Sequence, residues 1–281
     1  MSLTSEKAGV AHLCNNYMKG LGLFFLVLFL AGQLSAQPRT YHPNEAFGEG
    51  EYTQFRVYYN SAFTGNVTAG EATIKVETAK KKYFDKEVWK IVGEGVSKGA
   101  FNWFYKVRNR YESYVDKQAI IPYLFVRHTR EGGYSKDDEV FFYHDLQLAT
   151  SRTATKKIPS NVHDFVSALY FMRTLNLSEF DGDSSYYLDF FLDDSVYVSK
   201  IKYVGTETIK VDLGTFRCLK FAPMMATGNV FADAYPMFVW VTDDKNHLPI
   251  LAETKVVVGS VKMELTAYKN LRNPLSSKLK D

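Results

Sequence analysis

The chain has 281 residues, with 34 Lys and Arg against 31 Asp and Glu and a formal net charge of only +3. That balance lacks the basic field a nucleic-acid binder needs, and 46% hydrophobic with 23% charged residues excludes a disordered polymer. Aromatic residues make up 15% of the chain, a bias toward strands.

Residues 21–31 read LGLFFLVLFLA, with Lys19 before them and Leu34-Ser35-Ala36 after them. A basic flank, a short apolar run and a small terminal residue predict a secretory signal peptide, 1–36, with Met18 as the effective start and Gln37 as the mature N-terminus. The run is shorter than the roughly 20 residues of a membrane-spanning helix, so no transmembrane span is expected after cleavage. Cys14 precedes the apolar run and cannot become a lipidated first residue. The expected product is exported to the periplasm or beyond the cell and is not a lipoprotein. Residues 37–281 are expected to form one β-rich domain. It keeps one cysteine, Cys218, which leaves no intrachain disulfide and no thiolate zinc site. With no His or Asp close to it in sequence, Cys218 is expected to be structural.

Alternation of apolar and polar residues with period 2 predicts strands at 52–60, 72–78, 87–95, 103–115, 119–129 and 139–144. More follow at 186–192, 196–204, 206–212, 216–222, 237–242, 249–258 and 260–268. In 103–115, Trp103, Tyr105, Val107, Tyr111 and Val115 take one face, while Lys106, Arg108, Arg110 and Glu112 take the other. An antiparallel sheet with one wet face reads this way. Gly132-Gly133, Asp193-Asp194 and Leu213-Gly214 supply hairpin turns, and the spacing suits a long meander.

One segment, 162–175, breaks the alternation. Val162, Phe165, Val166, Leu169, Met172 and Leu175 recur at helical spacing. Asn161 with Asp164 resembles a capping box, and Arg173 stands in the last turn, where a cation favours the helix dipole. The Phe165, Leu169 and Met172 edge is expected to pack on the concave face of the sheet and to set the size of any cavity. The expected fold is mainly β: a large curled antiparallel sheet, an open half-barrel or clam, with one covering α-helix.

Chemistry-bearing pairs read as local structure. Neighbours on a helix diverge by about 100°, so Asp164 of His163-Asp164 is expected to serve the helix N-terminus. His144-Asp145 and Asp243-Asp244 fall in turns, and the second lacks the alternating ligands of an EF-hand loop. The tyrosines at 52, 58, 59, 186 and 187 read as core rather than as a ligand groove. Lys106, Arg108 and Arg110 form a stripe suited to an anion such as a lipid headgroup or acidic glycan, and Glu112 can pair with Arg110. No GxSxG, Walker A, GxGxxG or HExxH motif occurs, and neither cofactor nor metal is expected.

Several segments together resemble the bacterial family known as domain of unknown function 3108. They are Gly50-Glu51-Tyr52; Val107-x-x-Arg110-Tyr111-Glu112-Ser113 with Asp116; Asp164-x-x-Ser167-Ala168-Leu169-Tyr170-x-x-Arg173; Gly214-x-Phe216-x-Cys218 before Pro223; and Val239-Trp240-Val241-Thr242-Asp243-Asp244 with Leu248-Pro249. The helix motif departs from the family at Phe165, where proline is more frequent. The resemblance implies an exported protein with a curled antiparallel sheet, broadly like the half-barrels of periplasmic lipoprotein carriers. It supplies no activity and no functional residue. The leading reading is a non-enzymatic module that binds an apolar or amphipathic ligand, or an envelope partner, on the concave face. Lys106, Arg108, Arg110, Phe165, Leu169 and Met172 are its candidate contacts. Lipid, glycan and envelope protein stand as candidate partners, and nucleic acid does not. An enzyme acting on envelope glycans or lipids, and a structural module for a protein partner, stay open as alternatives.

Overall fold

The computed structural model describes residues 43–61, 65–176, 180, 184–224, 235–255 and 259–280. The expected signal peptide and the end of the expected strand at 249–258 lie outside them. In chain order the strands are β1 (Tyr52–Ser61), β2 (Gly65–Thr78), β3 (Val88–Ser97), β4 (Arg108–Asp116), β5 (Pro122–Glu131), β6 (Tyr134–Tyr143), β7 (Leu148–Thr150) and β8 (Thr155–Lys157). After these come β9 (Ser185–Leu192), β10 (Ser195–Val211), β11 (Gly214–Pro223), β12 (Met237–Thr242), β13 (Pro249–Lys255) and β14 (Ser260–Lys269). Two helices interrupt them: α1 (Phe101–Phe104) and α2 (Phe165–Met172).

All fourteen strands belong to one sheet in the order β8-β7-β6-β5-β4-β3-β2-β1-β14-β13-β12-β11-β10-β9. Two antiparallel meanders, β1–β8 and β9–β14, are joined side by side where β1 pairs β14. This layout makes the segment between β8 and β9 the one crossing from edge to edge, and α2 lies in it. Bulges between Gln54 and Phe55, Val57 and Tyr58, and Tyr203 and Gly205 raise the local twist, so the sheet curls.

The curl brings its two ends together without pairing β8 to β9. Residues 158–163 strap the gap: Ile158 N donates to Gln147 O at 2.9 Å, His163 N to Asp189 O at 2.9 Å, and Phe191 N to His163 O at 2.8 Å. Asp193 and Asp194 form the β9–β10 turn with φ of 49° and 57°, the left-handed pair a two-residue type I′ hairpin requires. Asp193 accepts from buried Arg127 of β5 at 2.5 Å and pairs with Lys136 of β6, and Thr153 donates to Asp194 at 2.5 Å. The result is a nearly closed, curled sheet.

Several expectations shift. Residues 103–107 do not extend β4: Phe101–Phe104 turn into α1, and Trp103 stands in solvent. The strands expected at 196–204 and 206–212 are one, because Gly205 (φ 148°) bends the ladder at a bulge instead of ending it. The strands β7 and β8 are additional. Helix α2 is shorter than 162–175, since His163 bridges in parallel to Phe190 and so continues the sheet. Asn161, at φ 61°, is outside the helix, and Asp164 is the N-cap.

Both ends of α2 are fastened by buried polar contacts. Asp164 Oδ1 accepts from Val166 N (2.8 Å) and Ser167 N (2.9 Å), and its Oδ2 accepts from Ser113 Oγ of β4 (2.6 Å). Phe165 in place of proline leaves this cap intact. At the other end Arg173 meets Glu51, just before β1, in a two-pronged pair: Nη1 to Oε1 at 2.6 Å and Nη2 to Oε2 at 2.9 Å. Its Nε donates to Asn246 O at 3.1 Å, and its guanidinium lies 4.9 Å from the Tyr170 ring and 5.4 Å from the Phe47 ring. Between these fastenings Val166, Ala168 and Tyr170 are the buried apolar residues of the helix. Val166 and Tyr170 join Phe47, Ile91, Val115 and Phe142 in the larger core.

Glu51→Gln leaves a buried guanidinium facing a neutral amide and should destabilise the fold by about 3–5 kcal/mol. Glu51→Gln with Arg173→Met removes both charges and should recover part of that loss. Urea titration of the three proteins checks both statements.

Burial pushes the Asp164 carboxyl from 3.8 up to about 6, against the hydrogen bonds that favour its charged form. The folded state therefore holds this proton more tightly than the unfolded chain. Asp164 contributes fully below about pH 4, and that contribution fades as pH rises through about 6. Asp164→Asn mimics the protonated acid, so the wild-type advantage over it should be about 1–3 kcal/mol larger at pH 4 than above pH 7. Paired denaturation curves across that range measure it, and a constant difference would contradict the burial account.

Candidate functional site

The concave face of β9–β14 is apolar because period-2 alternation sends every second side chain inward. Leu188 and Phe190 of β9, Leu219 and Phe221 of β11, and Val239 and Val241 of β12 face one hollow. Phe55 of β1, Ala252 of β13 and Met263 of β14 extend the same wall. Helix α2 covers it with Phe165, Ala168, Leu169 and Met172. Ala168 of the helix packs on Leu188 and Phe190 of β9. Beside that contact, helix and sheet border a partly open cavity of about 280 Å³.

Among the described residues its polar lining is Arg173, Asn176 and His247. The Arg173 guanidinium is committed to Glu51 and Asn246, and His247 Nδ1 lies 2.8 Å from Arg173 O, where it caps the helix. Among the described residues no carboxylate, hydroxyl or thiol lines the cavity. Nor does any group of three His, Cys, Asp or Glu side chains gather anywhere in a way that could hold a metal ion. The arrangement can bury an apolar body.

The six expected contact residues fall into two sets on opposite faces. Phe165, Leu169 and Met172 line the cavity. Phe165 also stacks edge-on against Tyr111 and Phe125, with ring centroids 4.7 and 5.4 Å away. The three are partly buried, packed against the core and bordering the cavity at once, as an edge that packs on the concave face and sets the size of the cavity should be. Lys106, Arg108 and Arg110 lie on the outer side of the curl. Arg110 donates to Glu112 at 2.8 Å and also pairs with Glu94. Burial alone would raise the Glu112 carboxyl, but hydrogen bonds from Lys90, Tyr114 and Arg110 hold it below its usual range. Lys106 and Arg108 are exposed. No single small ligand can touch both sets.

The other flagged residues are structural. His144 Nε2 lies 2.7 Å from Pro122 O, and burial lowers its pKa. Asp244 closes the β12–β13 turn, accepting from Asn246 N at 3.0 Å and Thr242 Oγ1 at 2.9 Å, and Arg217 pairs with Asp243 at 2.6 Å. Cys218 is fully buried, and burial pushes its thiol up to about 12, which removes it as a nucleophile at neutral pH. Sequence reasoning missed the cavity wall contributed by β9–β14. Its signal was present as the inward alternation of Leu188/Phe190, Leu219/Phe221 and Val239/Val241.

No curated protein matches the sequence. Among solved structures the chain is similar to a β-barrel-like protein of Brucella abortus with the domain of unknown function DUF1849. The TM-score is 0.51 at 10% identity, over 80% of this chain and 99% of that one. It is also similar to a proposed exported protein of Bacteroides fragilis with a YmcC-like fold (TM-score 0.36, 14% identity, 82% and 99% covered). A third is a proposed lipoprotein of Parabacteroides distasonis (TM-score 0.35, 11% identity, 83% and 100% covered). At such identities the first of these speaks for a common fold alone. The sequence model described as "Protein of unknown function (DUF3108)" matches residues 54–266, and the chain belongs to that family.

Proposed function

We propose that this protein is exported to the cell envelope and there binds an apolar or amphipathic ligand, non-enzymatically, in the cavity between α2 and the sheet. The observation that carries this reading is the cavity itself. A partly open apolar hollow of about 280 Å³ leaves side chains without packing partners, at a cost of up to about 7 kcal/mol by the roughly 24 cal/mol per Å³ of a closed cavity. Net domain stabilities are only about 5–15 kcal/mol, so a hollow of this size is costly as a packing residue and makes sense as a binding site. Its volume sits near the lower end of the roughly 300–1,000 Å³ of small-molecule pockets. The wall asks for a hydrocarbon body, and Phe165, Leu169 and Met172 are its contacts on the helix side.

Export rests on the leader at 1–36. Among the described residues, no helix is long and apolar enough to cross a membrane. A rival reading as an enzyme on glycans would need two carboxylates facing a groove, and the cavity wall offers none among the described residues.

Fatty acids bearing a fluorophore should bind the wild-type protein at one per chain. Leu169→Trp, which fills the hollow, should weaken that binding at least about tenfold, the loss of one well-placed apolar contact region. Leu169→Ala should keep binding and cost about 1–2 kcal/mol, below the roughly 2–5 of a close-packed leucine, because the side chain already faces open space. Equal binding by wild type and Leu169→Trp would overturn the assignment.

A further inference from the structure

Most hairpins of the first meander turn in a few residues, but β3 and β4 are joined by the longer segment 98–107, which carries α1. Its backbone is fastened. Lys98 N donates to Ala69 O of β2 at 2.9 Å, Ser97 Oγ donates to Asn102 Oδ1 at 2.7 Å, and Val107 N donates to Ser97 Oγ at 2.9 Å. Gly132 N of the β5–β6 turn donates to Lys106 O at 2.9 Å. This rigid loop holds Trp103 outward with 90% of its surface exposed. A scattered apolar residue in solvent is ordinary. A tryptophan on a braced loop between cations calls for an account.

The cations are Lys106 and Arg108. Among the described residues neither makes an ion pair, whereas Lys98 has Glu71 at 3.7 Å and Arg130 has Asp137 at 2.8 Å. Tyr134, on the adjoining β5–β6 hairpin, is also exposed. Behind α1 lies a smaller hollow of about 60 Å³, bounded by Phe101, Val107 and the small residues Gly70, Ala72 and Gly95. Met263 borders both this hollow and the large cavity.

We infer that the α1 rim is a docking surface for an anionic lipid bilayer, with Trp103 seated at the headgroup level and Lys106 and Arg108 on lipid phosphates. Tryptophan favours the membrane interface because its ring is apolar with one polar edge. Unpaired Lys and Arg near an anionic surface each add attraction. The charge complementarity sets the occupant: a surface that is apolar at one point and basic around it fits an acidic membrane. This inference goes beyond the ligand-binding reading: it would hold the domain that bears the cavity at the source of an apolar ligand.

The test uses the full chain and vesicles of phosphatidylcholine, alone or mixed with phosphatidylglycerol, some carrying brominated acyl chains. Tryptophans occur only at 89, 103 and 240, so the leader contributes no signal. Sedimentation should show binding that favours the anionic vesicles, and brominated lipid should quench wild-type fluorescence but not that of Trp103→Phe. Lys106→Ala with Arg108→Ala should weaken binding about 30-fold, the equivalent of two surface cations. Equal binding to neutral and anionic vesicles, quenching that persists in Trp103→Phe, or an unchanged double variant would overturn the inference. So would self-association that depends on Trp103 without vesicle binding, which would give the face to a second copy. Lost vesicle binding with intact fatty-acid uptake would overturn the docking surface and leave the cavity assignment standing. Intact docking with no uptake would support the docking surface and remove the cavity assignment.

Discussion

A cavity beside an apolar helix needs something to stop the helix from falling in, and here the buried Glu51–Arg173 pair does so. Hydrophobic attraction is non-directional and would draw α2 onto the wall of β9–β14. The ion pair is directional. It is satisfied by two hydrogen bonds to Glu51, one to Asn246 O and two aromatic faces, so the desolvation of both charges is compensated. A well-packed apolar pair could match it in stability. What an apolar pair lacks is a fixed position. The ion pair fixes the C-terminal end of α2 against the start of β1 and the β12–β13 turn, while Asp164 and Ser113 fix the other end against β4. Held at both ends, the helix packs on β9 through Ala168 and borders the hollow with Leu169 and Met172.

The segments that carry the family resemblance converge on this frame. Glu51, Ser113 and Asp244 come from segments far from Asp164, Ser167, Tyr170 and Arg173 of the helix segment, and each of the seven takes part in fastening α2 or the turn beneath it. Ser277 N donates to Asp244 Oδ2 at 3.1 Å, which ties the C-terminal segment to the same turn. The recognisable pattern therefore encodes a scaffold. The walls of the cavity, supplied by alternate residues of β9–β14, decide what fits inside it.

Much of the sheet was legible because half-buried strands leave a period-2 trace, as in β4, where Asn109, Tyr111, Ser113 and Val115 turn inward. The trace misled where alternation continued by coincidence: Trp103, Tyr105 and Val107 extend the β4 pattern, yet Phe101–Phe104 are helical and Trp103 faces water. It also misled at Gly205, where a glycine that looks like a break instead permits a bulge. The helix was legible from its apolar spacing, but its ends were not, since His163 is claimed by a bridge to Phe190. The Glu51–Arg173 contact joins residues 122 apart, and no local pattern announces it. The cavity is harder still to read, because it is the space left between distant strands by the curl of the sheet and the placement of α2.

The central claim is that the frame holds open a cavity for an apolar ligand. Native mass spectrometry of the protein purified gently from its own cells tests this most directly. The account predicts a population heavier than the bare chain by one small molecule, which is released on denaturation, extracts into organic solvent and is absent from Leu169→Trp. A bare-chain mass under native conditions, unchanged after incubation with fatty acids, would contradict it.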